Sequence, residues 1–318
     1  FDVCCESRDL YPQFASELLG ETGVDIELDQ TGSLYLAFSN EESEELNARY
    51  RWQSEAGLPV ELWSAEDIIN AEPLVSRSVQ MGLFFPCDWQ VENRKLCIAL
   101  KQYATQNEIA IYENTRVDSL LIDNGRVAGA VTDRGTFQAD KIVLATGAWT
   151  SLIKLGDTTL PVNVEPVKGQ MLSFAGAGNM FRHVLYTSRG YIVPRANGRL
   201  LAGSTTEHAG FEKAVTGAAR SDLERMASRI APAISTLREP EQWSGLRPYV
   251  AGGMPIVGPL NEIDDLYIAS GHYRNGILLA PLTGQAVADH MIDRVDSALI
   301  SNFGPVRVEH EKIGVTAA

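Results

Sequence analysis

The chain has 318 residues, 45% of them hydrophobic and 21% charged, with 27 lysines and arginines against 41 aspartates and glutamates, a net charge of -14. That balance suits a globular chain of one large or two medium domains, and acidity spread along the whole length argues against a nucleic-acid partner. No run of eighteen apolar residues and no basic-then-apolar leader occurs, so neither a membrane span nor a secretory signal is expected; Cys4, Cys5, Cys87 and Cys97 lack metal or disulfide spacing, which fits free thiols in the cytoplasm.

The first segment is a helical pattern, with Leu10, Phe14, Leu18 and Leu19 on one face before Gly23 ends it. "GSLYLAF" (32–38) reads as a strand, after which Asn40 caps a polar helix running to Glu55. "SAEDIINAEP" starts a second helix with Ser64 as cap and Asp67 three residues on, closed by Pro73. An aromatic strand, "MGLFFP", precedes a helix from Arg94 to about Gln106 and a strand "EIAIYEN". A meander follows, "RVDSLLID" turning on Asn124-Gly125, "RVAGAVTD" turning on Arg134-Gly135, then "TFQAD". The unbroken apolar run in "KIVLATGAW" predicts a central strand covered on both faces, with a short helix from Trp149. From Pro161 come longer antiparallel-looking strands, "PVKGQMLSF", "HVLYTS", "GYIVPR" and "RLLAGST", the last two joined by Asn197-Gly198. An amphipathic helix, about Gly217 to Ile234, buries Leu223, Met226 and Ile230. "QWSGLRPYV", "MPIVGPL" and "DDLYIAS" then lead to a long final helix. The pattern is interleaved: mixed α/β from Glu92 to about Leu160 and after Pro248, antiparallel sheet from about Gly23 to Val91 and Pro161 to Arg247.

Two strand-to-helix junctions carry the chemistry. Ala145-Thr146-Gly147 ends an apolar strand in small residues that let a backbone approach a ligand, although a tight turn with nothing bound is the plainer alternative. Gly271-His272-Tyr273-Arg274-Asn275-Gly276-Ile277 has the same design, and the helix that follows offers free N–H groups and a positive dipole end, the alternative being a capped helix start. Tyr191 in "GYIVPR" and Arg247, whose exit is fixed by Pro248, are further candidates; a guanidinium there could grip a carboxylate or form an ordinary salt bridge. No metal cluster and no Ser/His/Asp set suggests itself.

Taken in order and spacing, "VLATGAW", "PVKGQML", "GYIVPR-x-NGRLLAGSTTE", "WSGLRP", "MPIVGP" and "GHYRNGILLAPLTG" resemble the glycine oxidase and D-amino acid oxidase family of FAD-dependent amine oxidases over nearly the whole chain, the glycine oxidase branch above all. The resemblance implies an α/β fold of two discontinuous domains. A truncated Rossmann-like FAD-binding domain would take residues 1–22, 92–160 and 248–318, and an antiparallel-sheet substrate domain 23–91 and 161–247. It further implies that Tyr191 and Arg247 hold the substrate carboxylate and that Arg274 closes the pocket. The backbone from His272 through Tyr273, Asn275 and Gly276 to Ile277 would face the flavin pyrimidine edge, with Gly271 at its start. Ala145, Thr146 and Gly147 would line non-covalent FAD, and the Val117 main chain would meet the adenine. Thr206 would point at the substrate where an apolar residue is common. The implied reaction is oxidation of glycine, a small N-substituted glycine or a D-amino acid by molecular oxygen, feeding thiazole formation in thiamine synthesis.

The departure is at the front. No G-x-G-x-x-G occurs, and Phe1 matches the family only from the helix that follows that unit. A fragment of a longer protein and a chain that has lost the cofactor's main anchor are both open; retention of Tyr191, Arg247 and the 271–277 junction favours the fragment. On either account weak FAD binding, an exposed sheet edge and association with another copy, as a homo-oligomer, are expected. Two other readings stand beside the oxidase: a D-amino acid dehydrogenase or sarcosine oxidase of the same fold, and a silent fragment with an interaction role. Sarcosine oxidases of the monomeric kind hold flavin through a cysteine shortly before this junction, and "RPYVAGGMPIVGPLNEIDDLYIASG" has none.

Overall fold

The structure, a computed structural model, describes residues 1–176 and 178–305. In chain order, α1 is Asp2–Thr22, β1 Ser33–Ala37, α2 Asn40–Glu55, β2 Glu61–Ser64, α3 Ala65–Ala71, β3 Met81–Phe85 and α4 Asn93–Gln106. The meander is β4 Val117–Asp123, β5 Arg126–Thr132 and β6 Gly135–Gln138, followed by β7 Ile142–Leu144 and the short β8 Lys154–Leu155 and β9 Thr158–Thr159. Then come β10 Glu165–Ala175, β11 Val184–Thr187, β12 Gly190–Pro194, β13 Leu200–Gly203, α5 Gly217–Ile230, β14 Arg238–Tyr249, β15 Ile256–Pro259, β16 Leu266–Ser270, α6 Gly276–Asp293 and α7 Ala298–Phe303.

The chain divides into two compact units. One comprises Phe1–Phe14, Ala110–Val167 and the described residues from Leu246 on; the other comprises Ala15–Ile109 and Lys168–Gly245. These bounds group α4 with the second unit, whereas the sequence reading put it with the cofactor half.

In the first unit β15, β16 and β7 form a three-stranded sheet, with β16 and β7 parallel in the register Tyr267↔Val143. Its alternating residues serve two cores. Leu144, Leu266 and Ile268 pack with Leu120 and Val127 of the meander, while Val257 and Tyr267 pack with Leu282, Ala286, Leu299 and Ile300 of α6 and α7. Burying each such side chain is worth about 1.5–3 kcal/mol, which makes this small sheet the scaffold for what hangs from its strand ends. The meander turns as its sequence demands: Asn124 and Gly125 both have positive φ, 49° and 80°, as a type I′ hairpin requires.

The second unit rests on an eight-stranded sheet in the order β14-β10-β13-β12-β11-β1-β3-β2. One face, with Leu185, Ile192, Ala202 and Leu172, is covered by Leu223, Met226, Ala227 and Ile230 of α5. The other carries Val184, Val193 and Leu201, with Met171, Tyr191 and Trp243 beside them. Buried Glu72 accepts hydrogen bonds from the amides of Arg182 and His183 at 2.9 and 2.8 Å and pairs with His183 Nδ1 at 2.7 Å, which fixes the approach to β11.

Several expectations are corrected. The sheet is mixed rather than antiparallel, because β1 pairs parallel with β11. Among the described residues β7 lies at the edge of its sheet rather than inside it: Leu144 is buried, but Val143 on the opposite face is 37% exposed. Residues 108–114 form no strand. Ile109, Ile111 and Tyr112 have the right propensity but lie exposed, since no described strand offers that segment a ladder. Ser39, not Asn40, caps α2, accepting from Glu42 N at 3.2 Å. α5 stops at Ile230 because Pro232 cannot continue it and starts a 3-10 turn, Pro232–Thr236. Leu19, expected on the buried face of α1, is exposed. No helix among the described residues is long and apolar enough to cross a membrane.

Candidate active site

The first unit brings three of the predicted pieces together. After β7 the chain enters a 3-10 turn at Gly147, whose φ is 53° and whose missing Cβ would point into open space. The Gly147 carbonyl accepts from Thr150 Oγ1 at 2.7 Å and from Ser270 Oγ at 3.0 Å, so the 145–147 turn is tied to the end of β16. Beyond Ser270, Gly271 sits at φ 76°, where a Cβ would lie 2.6 Å from Val250 Cγ2. Tyr273 also takes a positive φ, 48°, and its amide donates to the Pro248 carbonyl at 3.0 Å. Its ring meets Tyr249 edge-on at 5.3 Å. Those contacts bring the strand end that carries Arg247 to the 271–277 junction. Arg274 is exposed, with its guanidinium 5.5 Å from the Tyr273 ring centre.

The helix start itself is uncapped. Asn275 occupies the cap position without a side-chain hydrogen bond, and the first turn holds no acidic residue. The first amides of a helix have no intrahelical acceptor, so this end is left to attract an acceptor from outside. Burial holds the His272 imidazole below its usual range, and Nε2 lies 3.1 Å from Thr283 Oγ1. Near neutrality the ring is therefore uncharged, and the positive character here comes from amides, dipole and the Arg274 guanidinium. The carbonyl side of the same turn has an unusual partner. Pro281 has no N–H with which to bond the Ile277 carbonyl four residues earlier, and the Tyr11 hydroxyl of α1 donates to that carbonyl instead. Ser7 Oγ adds a bond to the Leu278 carbonyl at 2.7 Å. Val117 lies elsewhere in this unit, at the head of β4 opposite Thr132.

In the second unit, Tyr191 pairs across the ladder with Gly203, and its hydroxyl reaches Met171 Sδ at 3.6 Å. A Cβ on Gly203 would fall 2.2 Å from that sulfur and 3.0 Å from Tyr191 Cζ, so the glycine is what lets the tyrosine lie down on the sheet. Tyr186 stands 5.2 Å from the Tyr191 ring. Thr206, three residues beyond Gly203, is exposed. A cavity of about 400 Å³ in this unit is lined by Asp25, Asp29, Gln90, Arg182 and Arg195 among others, and none of the predicted site residues reaches it.

Comparison with known proteins decides the family. The model for FAD dependent oxidoreductases, DAO, matches residues 1–290. The chain belongs to this family. It is 34% identical to the glycine oxidase of Pseudomonas aeruginosa over 293 residues, 91% of this chain and 78% of that one. The glycine oxidase of Geobacillus kaustophilus is 34% identical over 319 residues, 96% and 83% of the two chains. The crystal structure of the Bacillus cereus glycine oxidase superimposes with a TM-score of 0.91 at 30% identity, covering 97% of this chain and 85% of that one.

As a DAO-family protein the chain is an FAD-dependent oxidoreductase of the class that oxidises amines or amino acids. The residues present fit that cofactor at the turn of 145–147 and the start of α6. One offers main chain facing open space at Gly147, the other an uncapped amino end. Sequence reasoning missed Ser270, Thr150 and the Tyr11 hydroxyl, which hold these features in place, and Gly203 beneath Tyr191; it used Pro248 only to fix the exit of Arg247. Only the glycine of "AGST" and the proline of "ILLAP" gave a local signal, each as a residue out of keeping with the element around it.

Proposed function

We propose that this enzyme oxidises glycine or small N-substituted glycines and D-amino acids to the 2-oxo acid. Ammonia or the free amine would be released, with molecular oxygen as acceptor and hydrogen peroxide as product. The observation that carries the proposal is the uncapped start of α6 beside Arg247's strand end, in a chain 34% identical to two glycine oxidases.

In this reading Arg247 grips the substrate carboxylate through two parallel N–H donors, with the Tyr191 hydroxyl as a second donor. A carboxylate so held presents the α-carbon in one orientation, and orientation is the larger part of what hydride removal needs. Arg274 closes the pocket and Thr206 meets the substrate. No side chain need act as base when the amine arrives neutral. Bound FAD would supply the two-electron acceptor that takes the α-carbon hydride and hands the electrons to oxygen. The main chain from His272 to Ile277 stabilises negative charge that develops opposite it, the kind of preorganised donor set that is worth several kcal/mol once water is excluded. Ala145, Thr146 and Gly147 would line the cofactor, and the Val117 main chain would meet its adenine. Water then hydrolyses the imine, so glycine yields glyoxylate and ammonia, and sarcosine glyoxylate and methylamine.

The test is peroxide release by the purified protein with added FAD, on glycine, sarcosine, D-alanine and D-proline. Turnover on glycine or sarcosine with peroxide in step supports the reading. Turnover only with an artificial electron acceptor would make the enzyme a dehydrogenase.

A further inference from the structure

Between Gly203 and α5 the chain makes a long excursion without regular structure, and most of its residues from His208 to Thr216 are exposed. Such a segment has high conformational freedom unless its ends are tied. Both ends are tied by two side chains of β10. Lys168 and Gln170 are two residues apart, hence on one face of that strand, and they are 3% and 0% exposed. The Lys168 ammonium lies 3.0 Å from Glu207 Oε2 at the start of the excursion and donates to the Ala214 carbonyl at 3.1 Å near its end. Gln170 repeats the arrangement one rung along. Its Nε2 donates to Glu207 Oε1 at 2.9 Å and to Thr216 Oγ1 at 3.3 Å, and its Oε1 accepts from Thr216 N at 2.8 Å. Main chain completes the anchor: Lys168 and Glu207 exchange both backbone hydrogen bonds at 2.9 Å, and Gln170 N donates to Thr205 Oγ1 at 2.8 Å. A buried ammonium and a buried amide are costly to leave unpaired, and here each finds its partners in both arms of the same loop. Thr206 lies between the two anchored residues, Thr205 and Glu207.

We propose that Lys168 and Gln170 are positioning residues of the reaction: by closing the 205–216 loop at both ends they hold Thr206 in place and so set which substrates the enzyme accepts. This rests on the reading of Thr206 as substrate-facing. The loop geometry itself stands without it.

The experiment measures two things on the holoenzyme of each variant: amide exchange over 205–216, and KM and kcat for glycine and for bulkier D-proline. Lys168→Met should speed exchange of the Glu207 and Thr216 amides by about tenfold or more, the cost of losing a charge-assisted bond. It should raise KM and alter the glycine-to-D-proline ratio while kcat for glycine changes little, and Lys168→Arg should restore part of both. Gln170→Met is the second variant should Lys168→Met not fold. Thr206→Ala, which leaves Lys168, Gln170 and Glu207 in place, should shift KM and the substrate ratio without changing exchange. Unchanged exchange in the Lys168 and Gln170 variants overturns the proposal. So does faster exchange with an unchanged substrate ratio while Thr206→Ala shifts it, and in that case the reading of Thr206 survives. A Thr206→Ala enzyme identical to the parent sinks that reading, and the positioning role with it.

Discussion

The 205–216 loop and the 271–277 junction are both irregular stretches at the ends of strands, yet they are held by opposite means. The loop is fixed from β10: the side chains of a lysine and a glutamine reach both of its arms, and Lys168 and Glu207 exchange backbone hydrogen bonds at one end. The junction is fixed by backbone angles, with Gly271 and Tyr273 at positive φ and an amide bonded to the Pro248 carbonyl. No side chain caps the helix that follows. The difference matches what each has to present. A stretch that offers one side chain can be held by hydrogen bonds to its neighbours, whereas the junction spends the Tyr273 and Asn275 amides on Pro248 and His272, draws the rest of its rigidity from conformation, and leaves the start of α6 without a side-chain cap.

If so, the junction is sensitive to added volume and the loop to lost polarity. Gly271→Ala puts a methyl group 2.6 Å from Val250 Cγ2 at a φ that alanine resists, and about 3 kcal/mol of stability should go with it. Thermal unfolding checks the loss, and flavin retention should fall in parallel. Arg247→Ala should raise KM on the order of a hundredfold, as removal of one half of a charge pair does, with flavin content unchanged. An unchanged KM would place the carboxylate elsewhere. Tyr11→Phe leaves the Ile277 carbonyl without its donor, because Pro281 cannot replace it; a loss of about 1.5 kcal/mol in denaturant unfolding is expected. Burial pushes the Tyr11 phenol up to about 12, so its stabilising effect is complete below pH 10 and fades as pH rises toward that value. The smallest effect concerns Glu207. Burial alone would raise its carboxyl, but hydrogen bonds from Thr205, Lys168 and Gln170 together with the Lys168 charge hold it below the usual range. Its contribution is therefore present above the ordinary glutamate pKa and lost as pH falls through the lowered one. Protection over 205–216, taken as exchange relative to the intrinsic rate at each pH, should stay flat from pH 7 downward and drop only in acid, and Lys168→Met should move the drop to higher pH.

Much of this was legible in the sequence, and what was not has a common cause. Period and turn chemistry located the longer strands, though not the short β2, β8 and β9, together with the Ser64 capping box and the Asn124-Gly125 hairpin, because those signals lie within a few residues of one another. The family motifs marked Arg247 and the 271–277 junction in the same way. The fate of β7 and of residues 108–114 was not legible: an apolar run shows that a strand could be covered, and only the partners that fold against it decide whether it is. Likewise "PVKGQML" shows a lysine in an apolar strand, but its partners Glu207 and Ala214 lie some forty residues on in the chain, with nothing local to announce them.

The bond from Tyr11 to the Ile277 carbonyl joins residues 266 apart in sequence. A helix normally completes its first turn from within, in well under a microsecond, as soon as its own residues are in register. α6 cannot, since Pro281 withholds the donor for that carbonyl and the replacement comes from the opposite end of the unit. Closing so long a loop is slow compared with winding a helix, and contacts of this range are typically among the last to form. The start of α6 is therefore expected to mature late, after residues 1–14 have docked, and pulse-labelled exchange during refolding should show its first turn gaining protection after the later turns of the same helix.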